Sequence, residues 1–129
     1  MEQKTKRFKK RDAILQCVKD TKVHPSADWV YARLKPDISD LSLGTVYRNL
    51  ALFKEQGLIT SLGTVKGVER FDGNIDPHVH FVCDCCGEVS DLMEIQLPQE
   101  LTAAAGAACG GTIQTSQLIF TGRCRQCQK

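Results

Sequence analysis

Two pairs of cysteines carry the clearest chemical signal in this sequence. Cys83 and Cys86 form one Cys-x-x-Cys pair, and Cys124 and Cys127 form a second pair far along the chain. Each pair can wrap a tight turn around one ion, and four thiolates at tetrahedral positions form a structural zinc site. Gly87 follows Cys86 directly and allows the backbone to turn there. The spacing predicts a zinc ion that joins the ends of a small domain.

Two histidines stand next to the first cysteine pair, in the stretch PHVHFVCDCCGEVSD. His78 and His80 are two residues apart on a predicted strand, so both side chains project to one face and can bind one ion. Asp72 before the strand and Asp91 after the cysteine pair could fold back toward them. Such a mixed set suits Mn(II), Fe(II) or exchangeable Zn(II). Taken singly, these residues are more simply explained as capping and turn residues, and spacing alone does not join His24 to them.

The cysteine count leaves a thiol-redox protein as an alternative. Seven cysteines in a reducing compartment are more readily metal ligands or unbridged thiols than a disulfide framework. A redox Cys-x-x-Cys usually begins a helix in a βαβ unit, and neither pair here is predicted to do so. Cys17, Cys85 and Cys109 receive no role, and Cys17 is most simply a small apolar residue of the first helix.

Composition describes one ordinary globular protein or two very small domains. The chain has 129 residues, of which 42% are hydrophobic and 25% charged, so it is not a disordered tail. The N-terminal KTKRFKKRDAIL has a basic run without an apolar core after it, and no stretch approaches the roughly 20 apolar residues of a membrane span. We therefore expect a cytoplasmic protein that does not associate with membranes.

Charge divides the chain into two parts. Residues 1–73 hold 14 Lys and Arg against 9 Asp and Glu, a net +5, whereas residues 74–129 hold 3 against 6, a net −3. Two domains with different partners would show this difference, and so would a solvated basic face. A cluster of turn-forming residues lies where the net charge changes sign, and it comprises Asp72, Gly73, Asn74 and Pro77. We place the domain boundary there, between 1–73 and 74–129.

The first part has helical periodicity followed by a β-hairpin pattern. Apolar residues at helical spacing form three faces: Ile14, Leu15 and Val18; Ala27, Val30, Tyr31 and Leu34; and Leu43, Val46, Leu50 and Phe53. Ser26 and Ser42 precede the second and third helices as N-terminal caps, and Gly57 ends the third. The following LITSLGTVKGVERFDG reads as a hairpin, so this part predicts a winged helix.

The third helix carries the physical case for DNA binding. A helix of this diameter fits the major groove, where Arg pairs with guanine and Asn with adenine, while Tyr, Thr and Ser suit phosphates or thymine methyl groups. Basic residues of the N-terminal run and the hairpin would attract phosphate. The candidate contacts are Arg11, Ser42, Thr45, Tyr47, Arg48, Asn49, Lys66 and Arg70. An ordinary surface helix with a solubilising tail is the alternative.

The second part predicts a small α/β domain. It has a β-prone run around residues 78–82, a possible helix in PQELTAAAGAACG and a strand-like TIQTSQLIF before GRCRQC. Its core is too thin to stand without a metal. The overall class is therefore α+β.

Four stretches resemble, in order and spacing, the ferric uptake regulator (Fur) superfamily and more closely its peroxide-sensing PerR branch. They are HPSADWVY, SLGTVYRNLALFKEQGLI, ERFDGNIDPHVHFVCDCCGEVSDL and GRCRQC, and the match runs from about Arg11 to Cys127. The resemblance implies a homodimeric repressor of operator DNA rather than an enzyme. It implies an N-terminal winged-helix DNA-binding domain and a C-terminal α/β domain for dimerisation and metal binding.

The resemblance also implies two metal sites. Cys83, Cys86, Cys124 and Cys127 match structural zinc ligands, and His24, Asp72, His78, His80 and Asp91 match the ligands of a regulatory Fe(II) or Mn(II). With iron bound, peroxide is expected to oxidise His24 or His78 and release DNA. Mn(II) is expected to sustain repression without that chemistry.

Some departures from the family pattern keep a second regulator class open. Asp72 stands where iron-sensing relatives more often have Glu, and a histidine-rich segment common in them is missing. Gly44 replaces a frequent alanine, and RFKKRDAIL lacks a proline often found before the matching arginine. An iron-, manganese- or zinc-responsive metal-uptake regulator of the same fold is the alternative. A metal-independent DNA-binding module would ignore the substitution His80→Ala.

Overall fold

The structure is a computed structural model that describes residues 2–76 and 78–128, with side chains from residue 9 onward. The chain divides into two compact units, Met1–Ile75 and Asp76–Lys129. Pro77 of the predicted linker and the basic side chains before residue 9 lie outside the described residues. Within the described ranges, every helix is too short or too polar to cross a membrane.

The first unit consists of three helices followed by a hairpin, the order predicted for a winged helix. Its elements are α1 (Glu2–Asp20), α2 (Ala27–Leu34), α3 (Leu43–Glu55) and the antiparallel strands β1 (Thr60–Val65) and β2 (Val68–Asp72). The backbone of the N-terminal basic run is part of α1, so this run continues the first helix instead of forming a tail.

Serine caps begin α2 and α3 as the sequence predicts. The Ser26 hydroxyl accepts the backbone N–H of Trp29 at 3.1 Å, and the Ser42 hydroxyl accepts that of Thr45 at 3.1 Å. Each bond satisfies an N–H that lacks a partner within the first helical turn. Both helix starts are therefore encoded locally.

Gly57 ends α3 in the left-handed conformation, with φ 76°. Its N–H donates to the Lys54 carbonyl at 3.2 Å, and the next N–H, of Leu58, donates to the Phe53 carbonyl at 2.9 Å. This pair of bonds is the Schellman arrangement, which favours glycine at that position. The turn directs the chain from α3 into the hairpin.

One apolar core joins the three helices to the hairpin. It contains Ile14, Val18, Ala27, Val30, Leu41, Val46, Leu50, Phe53, Ile59 and Phe71. Most residues of the predicted helical faces lie in it or pack against it. Leu43, a predicted member of the buried stripe of α3, is only half-buried.

The hairpin turn has two residues, Lys66 and Gly67. Val65 pairs with Val68 across it, and both turn residues have positive φ, 51° and 82°. Positive φ at both central residues is the type I′ geometry, whose twist matches that of the strands. Lys66 therefore stands exposed at the tip.

The second unit is a three-stranded sheet with one α-helix, a small α/β unit as predicted. Its elements are β3 (Val79–Cys83), β4 (Val89–Leu92), α4 (Gln99–Cys109), β5 (Leu118–Gly122) and a 3-10 helix (Arg125–Gln128). Strand β3 is central, antiparallel to β4 and parallel to β5. The last strand is shorter than the pattern suggested, because residues 112–117 have no regular structure.

Candidate metal centres

The four cysteines of the two Cys-x-x-Cys pairs come together in the second unit. Cys83 ends β3, and its register partner is Gly122 at the end of the parallel strand β5. Parallel strands end at the same edge of a sheet, so the turn that follows each strand starts there. The backbone N–H of Asp84 donates to the Gly122 carbonyl at 2.8 Å and holds the two turns together.

The sulfur positions match those around one tetrahedral ion. The Sγ atoms of Cys83, Cys86, Cys124 and Cys127 all lie within 4.8 Å of one another. Zinc–sulfur bonds of about 2.3 Å in a tetrahedron separate the sulfurs by about 3.8 Å. The Sγ atoms of Cys86 and Cys124 are 3.9 Å apart. These four residues could therefore hold a zinc ion.

Cys83 is the most thiolate-like member of this group. Its sulfur accepts the backbone N–H of Cys86 at 3.4 Å and that of Cys124 at 3.4 Å. These N–H groups, with that of Cys86 contributing most, lower the pKa of Cys83 to about 6. The thiolate is the form that binds zinc. Gly87 supplies the turn that permits this, with φ 80° and an N–H donated to the Cys83 carbonyl at 2.9 Å.

Cys127 shows the opposite shift. The neighbouring thiol of Cys124, and then that of Cys85, raise the pKa of Cys127. Thiols packed this closely cannot all lose their protons unless a cation offsets the charge. A divalent ion would therefore convert the group to four thiolates, which is the chemistry of a structural zinc site.

A second group of possible ligands lies at the other end of β3. His80 on β3 is the register partner of Asp91 on β4, and His80 Nε2 lies 3.3 Å from Asp91 Oδ1. His78, two residues earlier, places its Nε2 3.0 Å from the same oxygen. The imidazole centroids are 4.2 Å apart, and both histidines are buried. The predicted shared face of His78 and His80 is present, although His78 precedes the strand.

The hydrogen bonds of His78 fit a metal ligand. Its Nδ1 lies 2.7 Å from the Asp76 carbonyl, which can only accept, so Nδ1 carries a proton. In the neutral ring Nε2 then presents a lone pair to the Asp91 carboxylate, an unfavourable contact unless a proton or a metal ion lies between them. Metal-bound histidines commonly donate the other ring N–H to a backbone carbonyl in this way.

A further pair of possible ligands lies in the first unit. His24 Nε2 is 3.5 Å from Asp72 Oδ2, and both side chains are buried. The other oxygen, Asp72 Oδ1, accepts the backbone N–H of Asn74 at 2.9 Å, which orients the carboxylate. Adjacent nitrogen and oxygen ligands with bonds of about 2.1 Å lie about 3.0 to 3.4 Å apart around one ion. The nitrogen–oxygen distances of His24 to Asp72, and of His78 and His80 to Asp91, are close to that range.

His24 has an unusual backbone. Its φ is 59°, in the left-handed region. Such a conformation costs about 1 to 3 kcal/mol for a residue other than glycine and persists only where surrounding contacts hold it. Strain of this kind concentrates at functional sites.

Comparison with known proteins identifies the family. The model of the ferric uptake regulator family matches residues 2–120. The chain belongs to this family. The peroxide-responsive repressor PerR of Staphylococcus aureus strain USA300 is 33% identical over 118 residues, which span 92% of this chain and 79% of the relative.

Solved structures of Fur-family proteins have the same fold. The peroxide stress regulator of Campylobacter jejuni superposes with a TM-score of 0.84 at 25% identity, over 98% of this chain and 94% of that one. The ferric uptake regulator of Pseudomonas aeruginosa with manganese superposes with a TM-score of 0.67 at 28% identity, over 89% and 87%. The predicted α+β class is confirmed, with a winged-helix DNA-binding domain and a small dimerisation domain, and the chain is a metal-responsive regulator.

The side chains of α3 that are predicted to contact DNA differ in their exposure to solvent in this Fur-family chain. Tyr47 and Arg48 are exposed, whereas Thr45 and Asn49 are half-buried. Arg48 Nη2 donates to the Thr45 hydroxyl at 3.2 Å, and that hydroxyl lies 2.8 Å from the Ser42 hydroxyl. The Asn49 amide donates to the Thr45 carbonyl at 2.8 Å. Tyr47 and Arg48 are therefore the side chains most open to a partner.

The remaining predicted contacts lie outside α3. Lys66 is exposed at the hairpin tip. The Arg11 guanidinium lies 5.7 Å from the centre of the Phe53 ring, within cation–π range, so part of this side chain packs against the core. Arg70 points into its own unit and donates to backbone carbonyls of the loop that contains His24. Sequence patterns gave no signal for this contact, because it joins residues far apart in sequence.

The three remaining cysteines lie outside the four-thiol group of this Fur-family chain. Cys17 packs against the core of the first unit, as the sequence suggested, and burial raises the pKa of its thiol. Cys109 is exposed at the end of α4. Cys85 is exposed in the turn between two candidate ligands, and its thiol neighbours Cys127.

Proposed function

We propose that this chain is a metal-dependent transcriptional repressor that senses hydrogen peroxide through oxidation of a ligand histidine. The observation that carries the proposal is the approach of two histidine nitrogens, from His78 and His80, to one oxygen of Asp91. Nitrogen and oxygen donors gathered in this way can share one metal ion. Relatives named as a peroxide-responsive repressor and a peroxide stress regulator support the choice of signal.

The proposal assigns a structural zinc ion to Cys83, Cys86, Cys124 and Cys127. Four thiolates select zinc and leave no open coordination position. These ligands join the ends of β3 and β5, and apart from Cys83 the buried apolar side chains among the described residues of the second unit are Val79, Val82 and Val89. The zinc would therefore contribute directly to the folding of the unit.

The proposal assigns one exchangeable Fe(II) or Mn(II) to His24, Asp72, His78, His80 and Asp91. Three imidazoles and two carboxylates suit these ions better than soft, thiolate-preferring ions. Two of the residues belong to the first unit and three to the second, so one shared ion would link the DNA-binding domain to the dimerisation domain. Ion occupancy would then set the spacing of the two α3 helices in a dimer.

In the proposed sensing reaction, the residues that peroxide oxidises are the metal ligands themselves. Iron(II), when bound, would act as a redox catalyst of O–O bond cleavage, giving an electron to hydrogen peroxide and regaining it from the histidine ring, so that the iron is not consumed. In the net reaction a ring C–H of His24 or His78 becomes C–O, one oxygen is added to the protein and one water leaves. Oxidation withdraws a ligand from the set, which lowers affinity for the ion and releases DNA.

Two surfaces support the proposed partners. Tyr47 and Arg48 on α3 and Lys66 on the hairpin suit operator DNA, with base edges read by the helix and phosphate bound by the hairpin. In the second unit, β5 is an edge strand and Phe120 on it is 48% exposed. All of α4 is described and none of it is buried. A second copy of this chain would cover these apolar surfaces.

A binding titration tests the proposed function. A DNA site is first selected from a random pool with the manganese form, and its affinity is then measured with Mn(II), Fe(II) and Zn(II), before and after peroxide. The expected result is metal-dependent binding that peroxide abolishes only in the iron form. Binding that ignores the metal would contradict the repressor mechanism.

A metal-uptake regulator remains the second candidate, favoured by the likeness to the manganese-containing ferric uptake regulator of Pseudomonas aeruginosa. For that function, DNA binding would depend on metal concentration and would survive peroxide. A thiol-redox protein would instead contain no zinc and would cycle its thiols. Stoichiometric zinc that survives mild chelation would exclude it.

A further inference from the structure

The second half of the loop between α1 and α2, residues 23–25, is bound by two neighbouring residues of β2. The Arg70 guanidinium donates from Nε to the His24 carbonyl and from Nη2 to the Val23 carbonyl, the latter at 2.8 Å. The next residue of β2, Phe71, donates its backbone N–H to the Pro25 carbonyl at 2.9 Å. Two neighbouring residues of β2 thus hold three consecutive carbonyls around His24.

The loop needs such contacts because of the conformation of His24. Its φ of 59° is rare for a residue with a side chain, and Pro25 further restricts the residue before it. The bond from Arg70 Nε ends on the carbonyl of His24 itself. Removing this bond would free the peptide to relax, and the imidazole would turn with it.

The geometry is specific for arginine. A guanidinium presents several N–H groups in a rigid plane and can bind two successive carbonyls at once, whereas an ammonium is a single point donor. Arg70 is half-buried, and it directly precedes Phe71 and Asp72, so the same strand carries the carboxylate that faces the His24 ring. Arg70 therefore fixes the backbone of His24 relative to Asp72.

We infer that Arg70 is a positioning residue for the regulatory metal ion, acting by holding His24 in its binding conformation. The inference rests on the proposed function, which makes His24 a ligand. It assigns Arg70 a role other than the phosphate contact expected from its place on the hairpin. Lys66, at the exposed tip of the same hairpin, keeps the expected phosphate contact.

Manganese affinity tests the inference in the full-length, zinc-loaded protein. We compare the unchanged protein with Arg70→Lys, which keeps the charge but loses the planar donor set, and with Lys66→Gln as the matched control. By calorimetric titration, Arg70→Lys is expected to bind Mn(II) about 10- to 100-fold more weakly, the range for residues that orient metal ligands. Lys66→Gln is expected to bind it normally. Unchanged Mn(II) affinity in Arg70→Lys would overturn the inference.

A double-mutant cycle separates positioning from general stability. In a His24→Ala background, Arg70→Lys is expected to have little further effect on Mn(II) affinity, because the ligand that it orients is gone. An equal loss in both backgrounds would mean that Arg70 only stabilises the unit, and would overturn the inference. If Arg70→Lys does not fold, Arg70→Gln, which keeps one N–H donor group, allows the same comparison.

Two other outcomes are distinguishable. If Arg70 contacts DNA phosphate, Arg70→Lys retains Mn(II) affinity and weakens DNA binding at saturating Mn(II), which contradicts the positioning role. If His24→Ala alone leaves Mn(II) affinity unchanged, the ligand assignment of the proposed function fails, whatever Arg70 does.

Discussion

His80 and Asp91 face each other across antiparallel strands, and the same Asp91 oxygen that lies 3.3 Å from His80 Nε2 lies 3.0 Å from His78 Nε2. One carboxylate oxygen thus lies within reach of both histidine nitrogens. Asp91→Asn removes its negative charge with little change of shape. Mn(II) affinity is expected to fall by at least about tenfold while zinc content stays the same.

The matched control for that substitution is Asp84→Asn, which changes an exposed acid in the turn between the same two strands. Calorimetric titration and metal analysis of both variants provide the measurement. Equal Mn(II) affinity in Asp91→Asn and Asp84→Asn would exclude Asp91 as a ligand.

The four-thiol group should determine whether the second unit folds. Cys124→Ser removes one thiolate, and structural zinc contributes on the order of 10 kcal/mol in small zinc domains, so the variant is expected to lose zinc and the structure of residues 76–129. Cys109→Ser, an exposed cysteine outside the group, is expected to change neither. Zinc stoichiometry and circular dichroism measure the effect. A folded Cys124→Ser protein without zinc would contradict the structural assignment.

Local signals explain what the sequence predicted correctly. Ser26 and Ser42 are caps because their hydroxyls bond within the first turn of their own helices, and Gly57 ends α3 because its position requires positive φ. The two-residue spacing between Cys83 and Cys86 likewise allows one tight turn to bring both thiols to the same ion. Such features depend on a few neighbouring residues, so they can be recognised without the fold.

Contacts between distant segments explain what could not be predicted. The parallel pairing of β3 with β5 brings Cys83 beside Gly122, and no pattern in either strand specifies that partner. The contact of Arg70 with the His24 carbonyl is similar, since a basic hairpin residue predicts a phosphate contact equally well. Family resemblance relates His24 to the other ligands, whereas its spacing in the sequence does not.

Gly73 next to Asp72 is required by close packing. A Cβ at this position would lie 2.6 Å from the Lys19 Cα and 2.8 Å from the Val18 carbonyl oxygen, both backbone atoms of α1. Gly73→Ala is therefore expected to destabilise the first unit by about 1 to 3 kcal/mol. Urea unfolding followed by Trp29 fluorescence reports on this unit.

Gly44→Ala is the control with the opposite expected sign. Its Cβ would meet nothing closer than the flexible Arg48 guanidinium at 3.5 Å, and alanine favours helix by up to about 1 kcal/mol over glycine. A Gly73→Ala protein as stable as Gly44→Ala would contradict the packing.

A carboxylate on the hairpin predicts a small pH dependence of stability. Glu69 Oε2 accepts the Ser61 hydroxyl at 2.6 Å and lies 3.1 Å from Lys54 Nζ on α3. The Ser61 bond, followed by Lys54, lowers the pKa of Glu69. A lowered folded-state pKa contributes stability above the ordinary value of 4.5, and this contribution is lost as the pH falls through the folded-state pKa.

The variant Glu69→Gln measures that contribution. At pH 7 it is expected to be less stable than the unchanged protein by under about 1 kcal/mol, because the pair is well exposed to solvent. The difference should shrink toward zero below pH 4.5. A difference that grows as the solution becomes more acidic would contradict the sign of the shift.

Peptide mass spectrometry after peroxide treatment tests the central claim most directly. The iron and manganese forms of the zinc-loaded protein are exposed to the same peroxide concentration, and peptides containing His24 and His78 are examined for one added oxygen. We expect the modification at one of these histidines in the iron form, with none in the manganese form. Equal modification in both forms, or none in the iron form, would contradict peroxide sensing by a ligand histidine.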